Sequence, residues 1–494
     1  MFPFKARIEF DRDASQALYL QLSNQIIELI KNQTLAPKTK LPSSRILAEQ
    51  LGVHRKTVVA CYEELILQGW IESVPKKGTY VLGTMPILLQ RKLENSTSVG
   101  LKPKPGFSYT LQTDLVERKD QSWEKGVIPL HDGIPDVRLA PLDEIARTYR
   151  RICSKKSTID QISYGTSYGN TKLREVLVNY LNATRGLHLK VENVLITRGS
   201  QMGIWLASKL LIEKDDLVLV SKTNYSTADA TFLNLQAQLI KVGVDEDGII
   251  TDEIESLCQQ QQIKAVYVTS HHHHPTTVVL SAQRRIHLLN LARQYSFAIL
   301  EDDYDYDFNY NRAPILPLAS HDTNGNVIYI GSFCKTVAPV FRVGYLIAPK
   351  EFVDEAAKLR GIIDRQGDAL LELTFADFLK SGDLDRHIRK VVKIYKQRRD
   401  LLCQLLHEEL REHVEFEVPI GGMAIWLKLK SKYPWSRLSE IGKKYKLGIG
   451  APLYYTNVDK DHGYLRLGFA EHNEAEIREV MKRFKKVIVE LGGG

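Results

Sequence analysis

The chain has 494 residues, and its 44% hydrophobic and 26% charged residues exclude a mainly disordered protein. Sixty-seven basic and 59 acidic residues give a net charge of +8, which permits nucleic-acid binding without arguing for it. No apolar run approaches the roughly 20 residues that cross a bilayer, and the first residues carry charges where a signal peptide needs an apolar stretch. The five widely spaced cysteines favour reduced thiols over a disulfide framework or a zinc cluster. We therefore expect a cytoplasmic protein that does not associate with membranes.

The residue pattern divides the chain into three regions. It predicts a small domain at 14–82, a linker at 83–125 and a large domain at 126–491. The linker contains LENSTSVGLKPKPG, which is rich in Ser, Gly, Lys and Pro and has no apolar period. Such a segment cannot bury enough surface to offset its ordering entropy.

The first region predicts two helices followed by a hairpin. A helix starts at Pro42–Arg45, with Ser43 or Ser44 as its cap. After a turn at Gly52, HRKTVVACYEELILQG forms a second helix that ends at Gly69. WIESVPKKGTYVL then predicts two strands with a basic turn. This order of elements is typical of a winged helix-turn-helix that binds double-stranded DNA.

Hydrogen-bond donors are expected at the front of the second helix, which meets base edges and phosphates, and on the wing. Any one of them alone would be a solvated surface residue, but the whole order of elements favours DNA as the partner. The candidate DNA-binding residues are His54, Arg55, Lys56, Thr57, Lys76 and Lys77.

This stretch resembles the GntR family of bacterial regulators. The matching segments include LAPKTKLPSSRILAEQLGVHRKTV and YEELILQGWIESVPKKGTYV. The resemblance implies that Arg45, Arg55 and Thr57 contact DNA. Two departures stand out: His54 lies where the family usually has a Ser or Thr cap, and Lys38 lies where Gly is common.

From residue 126 onward, short apolar runs alternate with helical stretches. Such runs are typical of strands buried on both faces of a mainly parallel sheet, and the alternation predicts an α/β domain. Residues from about 350 to the end predict a smaller α+β lobe. The predicted strands lie at 194–200, 217–221, 265–270, 297–303, 327–332 and 343–349.

Polar residues follow several of these strands, where α/β folds bind ligands. Lys335 follows 327–332, with Ser332 three residues before it. A turn that contains a glycine and a hydroxyl lies between the strand at 194–200 and the helix that follows it. Such a turn predicts an anion-binding site, although an ordinary turn between a strand and a helix has the same composition. The residues predicted to hold an anion are Gly199, Ser200, Gln201, Ser332 and Arg342.

The acidic run EDDYDYDF, residues 301–308, directly follows the apolar residues FAIL of the strand at 297–303. A period of two places Asp302 and Tyr304 on one face and Asp303 on the other. A metal site or a solvated acidic loop is the alternative, although the run lacks the spacing of a calcium loop. Tyr225 follows the strand at 217–221 and lies near the same edge.

These features converge on pyridoxal phosphate. That cofactor needs an amine, a carboxylate for its ring nitrogen, an anion site and a flat partner for its ring. Lys335 would supply the amine, Asp302 the carboxylate and Tyr225 the flat partner. The turn at 199–201, with Ser332 and Arg342, would supply the anion site.

The third region resembles the fold-type I aminotransferases in GIPDVRLAPL, SYGTSYGNTKLREVL, TRGSQ, EDDYDYDF, GSFCKTVAPVFRVGYLIAP and YLRLGFA. With the GntR-like front, the chain resembles MocR/GabR-type regulators. The resemblance implies a Schiff base between Lys335 and pyridoxal phosphate, with Asp302 on the pyridine nitrogen and Tyr304 on the phenolic oxygen. It implies that Tyr225 stacks on the ring and that Arg466 binds an effector's carboxylate. Tyr164 would reach the partner subunit's cofactor in a homodimer.

One segment departs from the family pattern. Where the family has a sequence like SHQFPTG, this chain has four histidines, His271–His274, followed by Pro275-Thr276-Thr277. Alignment on Pro-Thr makes His272 the expected cofactor contact and the other histidines loop residues. A histidine run can also bind metal, but neighbours in a row cannot all face one ion, so we expect no metal site. The family glycine is replaced by Thr277, so the resemblance does not predict the conformation of the local turn.

The expected function is a transcriptional regulator that binds pyridoxal phosphate and senses a small amino compound. A head-to-tail homodimer would place two winged helices on one operator. Three alternatives stay open. The protein could be an active aminotransferase tethered to DNA, a sensor of pyridoxal phosphate itself, or a DNA-binding protein whose large domain holds no cofactor.

Overall fold

The computed structural model describes residues 2–83, 108, 123–310, 315–450 and 461–492. The chain forms two compact units, Met1–Thr110 and Leu111–Gly494. Most of the predicted linker at 83–125 lies outside the described residues. The domain limits 14–82 and 126–491 therefore stay predictions.

Within residues 2–83, the first unit contains three α-helices and a hairpin. The helices are α1 (Leu18–Lys31), α2 (Ser44–Leu51) and α3 (Arg55–Leu67), and the antiparallel strands are β1 (Ile71–Val74) and β2 (Gly78–Val81). One apolar face of each helix is buried in a common core, which includes Leu22, Ile26, Leu47, Val58 and Leu65. The two predicted helices and the hairpin are confirmed, and α1 adds a third helix to the core.

The core of this unit extends toward the start of the chain. Phe4 and Ile8 are buried with the same apolar residues. Both residues precede the predicted domain limit at residue 14. The sequence did not place them in the domain, because isolated apolar residues carry no helical or strand period.

The second unit is a large α/β fold with a smaller lobe. Its helices are α4 (Leu142–Cys153), α5 (Thr171–Arg185), α6 (Ser200–Leu211), α7 (Ser226–Asn234), α8 (Thr251–Gln260), α9 (Ala282–Tyr295), α10 (Lys350–Ile363), α11 (Ala369–Lys380), α12 (Asp383–Leu410), α13 (Trp435–Lys444) and α14 (Glu474–Gly492). Its strands are β3 (Ile128–Leu130), β4 (Val194–Thr197), β5 (Leu217–Ser221), β6 (Gln238–Val242), β7 (Val244–Asp245), β8 (Gly248–Ile249), β9 (Ile263–Val268), β10 (Ala298–Asp303), β11 (Val327–Ser332), β12 (Gly344–Ile347), β13 (Val414–Phe416), β14 (Ala424–Pro434), β15 (Leu447–Ile449) and β16 (Asp461–Gly468).

Seven of these strands form the central sheet, in the order β4-β12-β11-β10-β9-β5-β6. The pairs are parallel except where β12 meets its neighbours β11 and β4. Helices pack on the sheet, and most strand residues are buried on both faces. The predicted mainly parallel sheet is confirmed. Because parallel neighbours end at the same edge, the residues after β10 and β11 lie at one edge of the sheet.

The smaller lobe is built from β13, β14 and β16, which pair antiparallel, and from helices α12, α13 and α14. Strand β3, near the start of the unit, pairs parallel with β15 near its end. This pairing brings the segment after β3 back to the lobe. Among the described residues, no helix combines the length and apolar character that a membrane span requires.

Candidate cofactor site and nucleic-acid interface

Lys335 lies three residues after β11, and its amine is held in place by a main-chain oxygen. Its Nζ donates to the carbonyl oxygen of Gly133 at 3.0 Å. Burial lowers the pKa of Lys335, and the nearby carboxylate of Asp132 opposes that shift. A lysine with a lowered pKa keeps a larger share of neutral amine, which is the nucleophilic form.

Asp302 lies on β10, the parallel neighbour of β11. Its Oδ2 accepts a hydrogen bond from the Tyr267 hydroxyl at 2.8 Å. Its Oδ1 is buried and has no hydrogen-bond partner within the described part of the chain. Burial raises the pKa of Asp302 to about 7. A buried oxygen of this kind is costly unless a donor pairs with it, so the position fits a protonated ring nitrogen.

Tyr304 and His272 are joined through the main chain. The Tyr304 hydroxyl donates to the carbonyl oxygen of His272 at 2.9 Å. The His272 imidazole is buried, and its Nδ1 lies 2.9 Å from Oδ1 of Asp305. His272 thus positions Tyr304 through its backbone while its ring pairs with Asp305. A direct contact between His272 and a cofactor stays a prediction.

The turn before α6 has the features of an anion cradle. Gly199 has a φ of +74°, and a Cβ there would come within 2.8 Å of the Arg342 guanidinium. Arg342 is exposed and donates to the carbonyl of Arg198 at 2.9 Å, which holds it beside the turn. The helix then begins at Ser200, and the first N–H groups of a helix have no partner inside it. The structure therefore brings Gly199, Ser200 and Arg342 together.

Gln201 and Ser332 make local contacts near this turn. The Gln201 amide donates to Oγ1 of Thr231 at 2.9 Å. The Ser332 hydroxyl accepts from the backbone N–H of Cys334 at 3.1 Å and donates to the carbonyl of Val343 at 3.3 Å. The Gln201 bond joins α6 to α7, and the Ser332 bonds hold the segment after β11. The contact of either side chain with a phosphate stays a prediction.

Tyr225 immediately precedes α7, at the edge where β5 ends. Its ring meets the His274 ring edge-on, with 5.7 Å between centroids. His274 in turn lies 3.5 Å from the Asp132 carboxylate. The last histidine of the run, rather than His272, is therefore the one beside the predicted ring partner.

Arg466 lies on β16 in the smaller lobe and is almost completely buried. Its Nε donates to the carbonyl of Asp132 at 2.7 Å, and its Nη1 donates to the carbonyl of Pro275 at 2.6 Å. These bonds hold the guanidinium in place against the segment that also receives the Lys335 amine. Arg466 and Lys335 are thus fixed by consecutive carbonyls, those of Asp132 and Gly133.

The four histidines face different partners. His271 lies 3.2 Å from Asp303, and Nδ1 of His273 lies 2.7 Å from the Thr276 hydroxyl. Because the four rings diverge, they do not form a shared ligand set. Among the described residues, one group of His and carboxylates is close enough to hold an ion, and it lies elsewhere, at Asp252, Glu255 and His287. The four histidines lie in the loop between β9 and α9, as expected, and His271 and His273 are buried there.

Thr277 adopts the conformation that the family glycine would take. Its φ is +64°, in the left-handed region. Its N–H donates to the carbonyl of His273 at 2.7 Å, which closes the turn. The turn therefore forms without the glycine, although a β-branched residue is strained at this φ.

Tyr164 is 77% exposed. The Arg365 guanidinium lies over its ring, 3.9 Å from the centroid. An exposed aromatic residue of this size is compatible with a contact to a partner subunit, and that role stays a prediction.

The first unit presents its predicted DNA-binding residues at the surface. His54 caps α3, since its Nδ1 accepts a hydrogen bond from the Lys56 N–H at 3.2 Å. Ser43, one of the two proposed caps, caps α2. Thr57 is half-buried, and the other candidates are exposed, namely Arg45, His54, Arg55, Lys56, Lys76 and Lys77. Basic side chains thus surround the start of α3 and the tip of the hairpin.

Sequence reasoning missed four residues that shape the site. Gly133 begins a quoted motif and Asp132 directly precedes it, but the contact of this segment with Lys335 depends on the pairing of β3 with β15. Tyr267 lies within a predicted strand, where a tyrosine is indistinguishable from a core residue. Asp305 was one carboxylate among several in the acidic run.

Comparison with known proteins identifies both units. Residues 126–484 match the family described as aminotransferase class I and II, and residues 18–81 match the bacterial regulatory proteins of the gntR family. The chain is 26% identical over 416 residues to the probable rhizopine catabolism regulatory protein MocR of Rhizobium meliloti, which covers 84% of this chain and 82% of that protein. It is 28% identical over 477 residues to the HTH-type transcriptional regulator YdeL of Bacillus subtilis, which covers 95% and 96% of the two chains.

A solved structure shares the fold of the second unit. The kynurenine aminotransferase of Pyrococcus horikoshii matches with a TM-score of 0.69 and 28% sequence identity, covering 74% of this chain and 91% of that one. The chain therefore belongs to the aminotransferase class I and II family and carries a GntR-family domain in front of it, the arrangement of MocR-type regulators.

Proposed function

We propose that this protein is a DNA-binding transcriptional regulator that holds pyridoxal phosphate on Lys335 and senses a small amino compound. One observation carries the proposal. The buried Lys335 amine follows β11, and the unpaired Oδ1 of Asp302 lies near the end of the neighbouring strand β10, in a chain that also has a winged helix with exposed basic residues. Relatives of nearly the same length, described as transcriptional regulators, support it.

The residues divide the work of holding the cofactor. When bound, pyridoxal phosphate supplies an aldehyde that reacts reversibly with amines and a ring that withdraws electrons. Lys335 would supply the amine that holds the aldehyde, and Asp302 would keep a proton on the ring nitrogen. The Tyr304 hydroxyl would donate to the phenolic oxygen, and Tyr225 would lie against the ring.

The start of α6 would bind the phosphate. The N–H groups of Ser200 and Gln201, the Arg342 guanidinium and the Ser332 hydroxyl are the proposed contacts. Arg466 would bind the carboxylate of an amino acid effector, since its guanidinium is fixed beside the Lys335 amine.

Regulation requires the effector to favour one arrangement of the protein over another. We propose a head-to-tail homodimer, in which Tyr164 reaches the partner subunit's cofactor and two winged helices bind one operator. Exposed apolar residues of the second unit are compatible with such an interface, among them Ile159, Ile162 and Ile362.

The direct test is operator binding. A preferred duplex is first selected from random DNA with the full chain, and its affinity is then measured with pyridoxal phosphate alone and with added amines. The proposal predicts that an amine changes the affinity of the wild type only when the cofactor is present, and that it has no effect on Lys335→Ala. A response to pyridoxal phosphate alone would identify a sensor of the cofactor itself.

An active aminotransferase tethered to DNA is the second candidate. It is supported by the likeness to solved aminotransferases and by the presence of Lys335 and Asp302 at neighbouring strand ends. The decisive measurement is amino-group transfer from amino acids to keto acids. Sustained turnover that depends on Lys335 would favour this candidate.

A further inference from the structure

The segment between Lys335 and Arg466 carries a carboxylate that cofactor binding does not use, that of Asp132. The carbonyl of Asp132 accepts from Arg466 Nε at 2.7 Å, and the next carbonyl, that of Gly133, accepts from Lys335 Nζ at 3.0 Å. The backbone of Asp132 is therefore fixed between the amine and the guanidinium.

The Asp132 side chain is charged and accessible. It is 53% exposed, and its Oδ2 lies 3.5 Å from Nε2 of His274. Burial alone would raise the pKa of Asp132, but the contact with His274 and the positive charges of Arg466 and Lys335 hold it well below its usual range. Asp132 is thus an anion throughout the physiological pH range.

The neighbouring imidazole does not cancel this charge. Burial lowers the pKa of His274, so that its ring is neutral and donates to the carboxylate without adding a positive charge. A ligand that places its carboxylate on Arg466 and its reacting amino group at Lys335 would engage both of these charges and leave Asp132 as an anion beside the ligand's remaining atoms.

An anion in that place selects the charge of the ligand. It repels a second carboxylate and attracts a second ammonium group, because the Coulomb energy of two charges a few ångströms apart changes sign with the charge of the ligand. A neutral side chain gains nothing from it and leaves the carboxylate to water.

We infer that the sensed compound carries a second cationic group, as a diamino monocarboxylic acid does, and that Asp132 determines this specificity. The inference rests on the proposed function, since it names the ligand class of the same site. Arg466 would bind the carboxylate, the reacting amino group would lie at Lys335, and Asp132 would bind the distal ammonium group.

The test is a calorimetric titration of the full chain loaded with pyridoxal phosphate. Three diamino acids of increasing length (2,4-diaminobutyrate, ornithine and lysine) are compared with neutral isosteres (norvaline, norleucine and 2-aminoheptanoate). In the wild type at least one diamino acid should bind tenfold or more tightly than its isostere. Asp132→Asn should reduce that preference to less than threefold while the absorption of the bound cofactor is kept.

Matched variants complete the test. Asp252→Asn, which changes an exposed carboxylate of the same unit, should leave the preference intact. Asp132→Glu should retain it, and Asp132→Ser should lose it even if the Asn variant disturbs the loop. A neutral isostere that binds the wild type as tightly as its diamino acid, or a preference that survives both neutral variants, overturns the inference alone. If no amino compound binds the loaded wild type, the proposed sensing function fails together with it.

Discussion

Ten non-glycine residues of the described part of the chain have a positive φ, and Lys38 and Thr277 are two of them. Lys38 and Thr277 both have a φ of +64°. The sequence already marked both as departures from the glycine of the resembling families. The structure shows why glycine is common at these two positions. Each lies in the left-handed region, which costs a non-glycine residue roughly 1–2 kcal/mol.

Thr277→Gly should therefore stabilise the protein. Relief of the strain of a β-branched residue outweighs the greater entropy of glycine in the unfolded chain, and the expected gain is about 1 kcal/mol in the free energy of unfolding. Urea unfolding measures it. Thr277→Ala is the control and should gain much less, since alanine is also disfavoured at this φ. A glycine variant no more stable than the alanine variant would contradict the strain.

Asp302 predicts a pH dependence of the cofactor-free protein. Its pKa is about 7 in the folded state, against an ordinary value near 3.8. The folded state therefore binds more protons than the unfolded state between these values. The stabilisation is fully present below about pH 4 and is lost as the pH rises to about 7, with a total on the order of 4 kcal/mol.

Asp302→Asn isolates this effect. The difference in the free energy of unfolding between wild type and variant should move in the variant's favour from pH 4 to pH 7 and then level off. Loading with pyridoxal phosphate should flatten the slope, because a ring N–H would pair with Oδ1. Parallel pH profiles for the two cofactor-free proteins would show that the carboxylate is not held in a desolvated state.

Residue types at strand ends were predictable, but their partners were not. Lys335 and Asp302 could be named because chemistry-bearing side chains follow buried strands. Tyr267 and Asp132 could not, because one lies inside an apolar strand and the other reaches the site only through the pairing of β3 with β15. The histidine beside Tyr225 is His274. Alignment on Pro-Thr could not identify it, because the direction of each ring depends on the geometry of the turn.

At the scale of elements, the start of α3 is set by an unusual cap. His54→Ala should remove the hydrogen bond to the Lys56 N–H and destabilise the first turn by about 1 kcal/mol. Hydrogen exchange of the Lys56 amide in the full chain should then be roughly fivefold faster. His54→Ser should exchange as the wild type does, because serine is also a good cap. An unchanged rate in the alanine variant would show that the cap contributes little.

The front of α3 should also carry sequence recognition. Arg55 is exposed there. Arg55→Ala should weaken binding to the selected operator by about 1–3 kcal/mol if its guanidinium reads a base. Lys77→Ala on the hairpin is the comparison and should weaken all duplexes about equally. An equal loss on random DNA for Arg55→Ala would assign Arg55 to phosphate contact.

The strands of the central sheet show where pattern reasoning ends. Six predicted runs became strands of the sheet, but β6 was missed. It lies at the edge of the sheet, and its sequence QLIKV mixes polar and apolar residues because one side is less covered. The antiparallel direction of β12 was also hidden, since a strand buried on both faces has the same composition in either direction.

At the scale of the whole molecule, one chain contains a GntR-family domain followed by an aminotransferase fold. The order of the two units was readable because each has its own period and turn chemistry. Coupling between them is a difference in free energy between two states, and neither composition nor a single folded state contains that difference.

The most direct test of the central claim is to locate the cofactor chemically. Purified protein is incubated with pyridoxal phosphate, reduced with borohydride, digested and analysed by mass spectrometry, beside Lys335→Ala treated in the same way. The account predicts one modified peptide, with the added mass on Lys335, and no specific modification in the variant. Absence of the label from Lys335 in the wild type, or equal labelling of other lysines in both proteins, would contradict it.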